Sequence, residues 1–120
     1  MKKKMMIALS LLIICTLIAS CDSGLAYQKM EFLTLPEKTV YKVGEDSILQ
    51  FDGGMIQLTT RDGRTETRTL NDYTYQHSDC YQQVVGGFIS SNVNFDVPGE
   101  YIVTVWQTKD VCCQYVVTVE

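Results

Sequence analysis

The chain lacks most of the residue patterns that catalytic and metal-binding proteins use. Among its 120 residues there is one histidine, and none of the five cysteines forms a CxxC pair of the kind that binds zinc. Neither a phosphate-binding loop nor a nucleophile elbow occurs. His77 and Cys80 lie close in sequence, but nothing signals the oxyanion hole that a cysteine nucleophile needs. We therefore expect no enzyme activity, no cofactor and no metal site.

The chain also lacks helical periodicity beyond residue 28. It has no excess of basic charge either. The chain has 10 basic and 14 acidic residues, which gives a net charge of −4. Loss of residues 1–20 would remove three lysines and no acidic residue, so the remaining 7 basic and 14 acidic residues would give −7. We do not expect a domain this acidic to bind nucleic acid, because it lacks the cations that would neutralise phosphates.

The N-terminal residues have the pattern of an export signal. Three lysines at residues 2–4 precede an apolar run over residues 5–19, and small residues lead directly to a cysteine. The junction Ile-Ala-Ser-Cys at residues 18–21 resembles a bacterial lipobox, in which the cysteine thiol receives a diacylglycerol and the chain is cut just before it. The resemblance implies that residues 1–20 are a signal peptide and that Cys21 is lipidated.

The expected product is an extracytoplasmic lipoprotein of the cell membrane or cell envelope, held there by acyl chains such as palmitate. Because anionic headgroups repel an acidic domain, the acyl chains rather than a basic patch would hold it there. A transmembrane helix needs about 20 apolar residues, whereas this run is shorter and Asp22 follows soon after it. An ordinary secretory signal, cut nearby and leaving Cys21 as a free thiol, is the alternative. Residues 21–28 are expected to be a tether, and residues 29–120 one domain.

Alternating segments bounded by turn residues predict the strands of this domain. They fall at residues 30–35, 39–43, 48–51, 55–60, 65–70, 84–97 (one or two strands), 101–107 and 111–119. Asp62-Gly63 between two such segments predicts a hairpin, since the tight turn needs a positive φ. Several short strands at this spacing are typical of a sandwich or a barrel.

Five segments, in order, resemble the bacterial Ig-like domains, which are small modules of bacterial surface proteins. They are TVYKVGE at 39–45, DGGMIQL at 52–58, DG at 62–63, PGEYIVTV at 98–105 and YVVTV at 115–119. The resemblance spans residues 36–120. It implies an all-β, Ig-like β-sandwich of about seven antiparallel strands, without an active site, that serves as a spacer, stalk or adhesion module.

Alternation also assigns side chains to faces. One face of each of the last two strands should be apolar, through Tyr101, Val103 and Val105 and through Cys113, Tyr115, Val117 and Val119. Gly99 and Asp96 ahead of Tyr101 resemble the tyrosine corner of Ig folds, in which the hydroxyl binds the backbone upstream. A core tyrosine with a hydrated hydroxyl is the alternative. Val103 stands where Ig domains carry a cysteine, so the usual inter-sheet disulfide is not expected.

Residues 71–83 are longer and more aromatic than a connection between two strands requires. Four side chains in this segment have odd numbers, so an extended chain would direct them to one face: Tyr73, Tyr75, His77 and Tyr81. One interpretation is a recognition loop, since tyrosine provides a large amphipathic contact area at low entropic cost. The other interpretation is that the row packs against the sandwich.

Three cysteines, Cys80, Cys112 and Cys113, would remain in the exported domain, where an oxidising compartment favours pairing. A bridge from Cys80 to the start of the last strand would close a loop of about 33 residues and add roughly 3–4 kcal/mol in the chain-entropy model. Alternation places Cys112 outward, where it suits a loop folded over the outside, and Cys113 inward as a small core residue. We favour Cys112 as the partner of Cys80, with Cys113 as the alternative; a vicinal bridge would be strained.

Two classes of function fit these features. The first is a membrane-anchored, non-catalytic binding, adhesion or structural module of the envelope, whose partner is an envelope protein or a surface ligand. The second is a small lipoprotein inhibitor that blocks a hydrolase through residues 71–83. The inhibitor requires a rigid loop that protrudes from the domain, whereas a structural module tolerates substitutions there.

Overall fold

The computed structural model describes residues 27–84 and 86–120, and these residues form a two-layer all-β sandwich, as the sequence predicts. The eight strands of the described residues are β1 (Tyr27–Thr34), β2 (Val40–Tyr41), β3 (Met55–Thr60), β4 (Thr65–Thr69), β5 (Thr74–His77), β6 (Phe88–Ser91), β7 (Gly99–Thr108) and β8 (Val111–Val119). One sheet has the order β1-β3-β4 and the other the order β2-β8-β7-β6-β5. The predicted signal peptide and Cys21 lie outside the described residues.

The arrangement differs in detail from about seven antiparallel strands. There are eight strands among the described residues, and β2–β8 and β5–β6 pair in parallel. Strand β1 begins at Tyr27, so Tyr27 and Gln28, which we assigned to the tether, belong to the sandwich. The predicted hairpin at Asp62-Gly63 joins β3 to β4, and Gly63 has the positive φ of +90° that this turn requires.

The core lies between the two sheets and follows the predicted alternation. Val103 and Val105 of β7 and Val117 and Val119 of β8 are almost fully buried on the inner face of the five-stranded sheet. Ile56 and Leu58 of β3 face them from the other layer. Tyr115 is also inward and meets Phe32 of β1 edge to face, with 5.5 Å between ring centroids. These contacts fix the two sheets against each other.

The segment that we predicted as a strand over residues 48–51 is not one. The buried Tyr41 on β2 provides the physical reason, because its hydroxyl accepts a 3.0 Å hydrogen bond from the backbone N–H of Gln50 and lies 3.4 Å from the Gln50 carbonyl oxygen. A side chain thus satisfies backbone groups that a strand partner would otherwise satisfy. Leu49 is buried in the core, while Ile48 beside it is 68% exposed.

Residues 71–83, predicted as a long connection, contain regular structure. A 3₁₀ turn over Leu70–Asp72 is followed by β5, which adds an edge strand to the five-stranded sheet. The sequence Tyr-Thr-Tyr-Gln-His at residues 73–77 alternates with a period of two, and this is the signal for a strand. β6 covers only Phe88–Ser91 of the predicted segment over residues 84–97.

Candidate functional site

An open apolar cleft of about 440 Å³ lies at the edge of the sandwich, between the segment before β3, strand β5 and the turn after β6. Its lining is mostly aliphatic and aromatic and consists of Ser47, Ile48, Leu49, Phe51, Tyr75, His77, Val93 and Phe95. We call it the apolar cleft. Its size and lining are typical of sites that bind a small apolar group with a few polar atoms at the rim.

Strand β5 supplies one wall of the apolar cleft. Tyr75 and His77 are two residues apart on an extended chain, so both side chains lie on one face, and the Tyr75 hydroxyl is 3.3 Å from His77 Nδ1. The same hydroxyl donates to the carbonyl oxygen of Ser91 on β6, at 3.3 Å. Burial raises the pKa of Tyr75 above its ordinary value. The Tyr75 ring is therefore held in place, while His77 is exposed at the rim.

A polar network holds the opposite wall of the apolar cleft in place. Lys38 Nζ lies 2.7 Å from Asp46 Oδ1, and the backbone N–H of Lys42 donates to Asp46 Oδ2 at 2.7 Å. The hydrogen bond from Lys38, followed by that from the Lys42 backbone, lowers the pKa of Asp46 below its usual range. Together with the Tyr41–Gln50 contacts, this network fixes the chain on both sides of Ile48 and presents its side chain to solvent.

Aromatic contacts make the walls of the apolar cleft rigid. Phe51 packs against Tyr75 with ring centroids 6.0 Å apart, and Phe95 meets the buried Tyr41 edge to face at 5.4 Å. Such pairs stabilise one another beyond the area they bury. These contacts hold Phe51, Tyr75 and Phe95 in place along the cleft.

The structure separates the four side chains of the predicted recognition row. Tyr73 is 8% exposed and belongs to the core, where its hydroxyl donates to Gln107 Oε1 at 2.9 Å and burial raises its pKa to about 12. Tyr81 lies on the outer face of the five-stranded sheet against Trp106, with 5.2 Å between ring centroids. Only Tyr75 and His77 come together, in the apolar cleft.

The cysteines take the faces that alternation predicts, and none of the three described cysteines is bonded to another in this structure. Cys113 packs against the core opposite Val105, and burial, together with the neighbouring Cys112, raises the pKa of its thiol to about 12. Cys112 pairs with Trp106 across β7 and β8 on the outer face. Tyr81, the chain neighbour of Cys80, packs against Trp106 on that face.

Sequence reasoning did not find a second, smaller aromatic cluster on the outer face. Phe88 is fully buried but lies outside the main core, because Tyr81 and Trp106 cover it at centroid distances of 5.5 and 6.3 Å. Trp106 Nε1 donates to Ser90 Oγ at 2.9 Å. One sequence feature could have indicated this cluster. Phe88 and Trp106 are aromatic residues at positions that alternation directs away from the core.

Comparison with protein-family models found no match, and comparison with curated proteins found no significant match.

Across residues 27–84 and 86–120, no three histidine, cysteine, aspartate or glutamate side chains group closely enough to hold a metal ion. Helices long and apolar enough to cross a membrane do not occur in the same ranges.

Proposed function

We propose that the chain is an exported, lipid-anchored Ig-like module that binds an apolar side chain or short apolar segment of an envelope protein in the apolar cleft, without catalysis. The observation that carries the proposal is the position of Ile48, which is 68% exposed at the mouth of a rigid aromatic cleft. A large aliphatic side chain held in solvent beside a preformed cavity is typical of an interaction surface.

The position of the first described residues relative to the apolar cleft supports this proposal. Tyr27, where the described domain begins, shares a cleft with Thr108–Val111 at the β7–β8 turn. His77 pairs with Ser91, and Ser91 pairs with Val103, about half of β7 away from that turn. Cys21 precedes Tyr27 by six residues, which span at most about 20 Å. A lipid on Cys21 would therefore hold the Tyr27 end near the bilayer, with the apolar cleft further along the sheet from that end.

The alternative, inhibition of a hydrolase through residues 71–83, has less support. This segment forms a 3₁₀ turn and an edge strand, and Tyr81 packs against Trp106. Inhibition by insertion needs a segment that protrudes from the domain, and these residues lie against the sheet instead.

The binding proposal is tested with the acylated protein purified in detergent and used to capture partners from envelope extract. Ile48→Asp should reduce the recovery of the partner at least tenfold, because a charge at the mouth of the cleft opposes apolar contact. Leu35→Asp is the matched control, since Leu35 is also an exposed large aliphatic residue, at 51%, and does not line the cleft. Equal recovery with the wild type and Ile48→Asp would refute the proposal.

The anchoring part is tested separately by Cys21→Ala. This variant should incorporate no labelled fatty acid and accumulate as uncut precursor, whereas Cys15→Ala, within the apolar run, should be processed normally. Fatty acid on the Cys21→Ala protein would sink the lipidation assignment.

A further inference from the structure

A polar groove of about 390 Å³ crosses the outer face of the five-stranded sheet, on the side away from the core. It lies beside the aromatic cluster of Tyr81, Phe88 and Trp106, between the segment that follows β5 and the neighbouring strands β6, β7 and β8. We call it the outer groove. It shares no lining residue with the apolar cleft, so the two sites can be tested independently.

The floor of the outer groove is polar and nearly fully buried. Ser90 and Thr104 stand opposite each other on β6 and β7 and are only 2% and 7% exposed. Ser90 Oγ accepts a hydrogen bond from Trp106 Nε1, and Thr104 Oγ1 accepts one from Gln114 Nε2 at 3.2 Å. Among the described residues neither of these two hydroxyl protons has an acceptor, so each hydroxyl retains a donor for a bound molecule.

A buried acceptor without a partner lies next to this floor. Gln76 on β5 pairs with Ser90 across the parallel strands, and its Oε1 atom is buried with no hydrogen-bond partner in the described part of the chain. Buried polar atoms in folded proteins are nearly always paired, and an unpaired one calls for a ligand or an ordered water. The floor thus offers two unused donors, and one unused acceptor lies on the neighbouring strand, outside the lining of the groove.

The rim adds polar groups from different elements and one apolar surface. Asp79 comes from the segment after β5, Asn92 from the end of β6 and Glu100 from β7, and all three are exposed. Ile102, 52% exposed, also lines the outer groove. None of the lining residues is a lysine, arginine or histidine, so the site has no cation with which to hold a phosphate, a sulfate or a carboxylate.

We propose that the outer groove binds a saccharide unit that is neutral or carries a protonated amine. Carboxylate and amide groups at the rim accept hydrogen bonds from ring hydroxyls, the buried Ser90 and Thr104 hydroxyls donate to them, and Ile102 contacts the apolar face of the ring. The two carboxylates, Asp79 and Glu100, disfavour an acidic sugar by repulsion and favour an amino sugar.

The test measures binding of the acylated protein in detergent to three soluble probes: a neutral hexose oligosaccharide, an amino-sugar oligosaccharide and a uronic-acid oligosaccharide. We expect the first two to bind and the third not to bind. Glu100→Gln should weaken amino-sugar binding at least tenfold while thermal stability is unchanged, because Glu100 is exposed. Glu45→Gln, an exposed carboxylate outside the outer groove, is the matched control and should bind like the wild type.

Thr104→Ser tests the floor, because it keeps the hydroxyl that Thr104→Val removes. We expect Thr104→Ser to retain binding and Thr104→Val to lose it, with a melting measurement to show that both variants fold. Binding to no probe, binding that Glu100→Gln and Thr104→Val leave unchanged, or a site that takes only calcium without sugar would overturn the assignment. Ile48→Asp should leave saccharide binding intact, which separates this site from the apolar cleft.

Discussion

The hydroxyl of Tyr101 donates a 2.8 Å hydrogen bond to the carbonyl oxygen of Val97, four residues earlier in the chain. This contact is the tyrosine corner that Asp96 and Gly99 predict, and it ties the turn at residues 94–97 to the strand that follows. It accounts for a tyrosine where a simple core position would accept phenylalanine.

Tyr101→Phe should therefore lower the free energy of unfolding by about 1 kcal/mol, the usual net contribution of one hydrogen bond. Urea unfolding followed by tryptophan fluorescence measures this change. Tyr81→Phe is the control, because the Tyr81 hydroxyl makes no hydrogen bond to any other described residue, and we expect it to be nearly neutral. Equal stability of Tyr101→Phe and the wild type would contradict a structural role for the corner.

The residues predicted from sequence as a recognition row should fall into two classes according to how much their mutation lowers stability. Tyr73→Ala should lower the unfolding free energy by about 3–4 kcal/mol, because it empties a buried aromatic position and leaves Gln107 without its partner. His77→Ala should change it by less than about 0.5 kcal/mol, since His77 is exposed. A loss below about 0.5 kcal/mol for Tyr73→Ala would show that Tyr73 is not part of the core in solution.

The Cys80–Cys112 bridge stays a prediction, since the three described cysteines are unbonded in this structure. Tyr81 packs on Trp106, and Trp106 pairs with Cys112, so closing a Cys80–Cys112 bridge would hold residues 78–84 over Phe88. Non-reducing peptide mapping of the exported protein should join these two cysteines, and Cys80→Ser should lower stability by roughly 3 kcal/mol. Cys113→Val should leave the bridge intact. Quantitative labelling of Cys80 by a thiol reagent in the native protein would refute the pairing.

The buried thiol of Cys113 predicts a dependence of stability on alkaline pH. Burial raises its pKa from the ordinary value of 9.0 to about 12, so above pH 9 the unfolded chain loses this proton before the folded one does. The stabilisation is complete below pH 9 and is lost as the pH rises towards 12.

Urea unfolding between pH 8 and pH 11 measures this dependence. Above pH 9 the stability of the wild type should fall more steeply than that of Cys113→Val, by at most about 1.4 kcal/mol per pH unit. Burial raises the pKa of Tyr73 in the same direction, but Tyr73 is present in both proteins, so the difference reports the thiol and its effect on Tyr73. Parallel curves would show that the thiol is not buried.

Much of the fold follows from patterns of period two and from turn residues. Val103, Val105, Val117 and Val119 were placed inward because each alternates with residues that face out, and Gly63 marked the hairpin because few residues accept its positive φ. One feature escaped this reasoning. The segment around Gln50 alternates like a strand, but a side-chain hydroxyl from β2 satisfies its backbone, which no local pattern reveals.

The candidate sites were less predictable because they depend on which elements meet. Tyr75 and His77 were expected to act together, and their contact follows from the extended strand. Ile48 and Phe95 joined them only through tertiary packing of distant segments. From the sequence, Ser90 and Thr104 are ordinary outward-facing polar positions. In the structure their hydroxyls are buried, and the segment after β5 folds over that face.

The account depends most on the apolar cleft as a binding site in the cell, and a photo-crosslinking amino acid at position 48 tests it directly. In intact cells, light activation of the probe at position 48 should give one discrete crosslinked product with an envelope protein. The same probe at position 35 should not give this product. A probe at position 77, on the opposite wall, should give the same product. Absence of a discrete product at positions 48 and 77, or an identical pattern at position 35, would contradict the account.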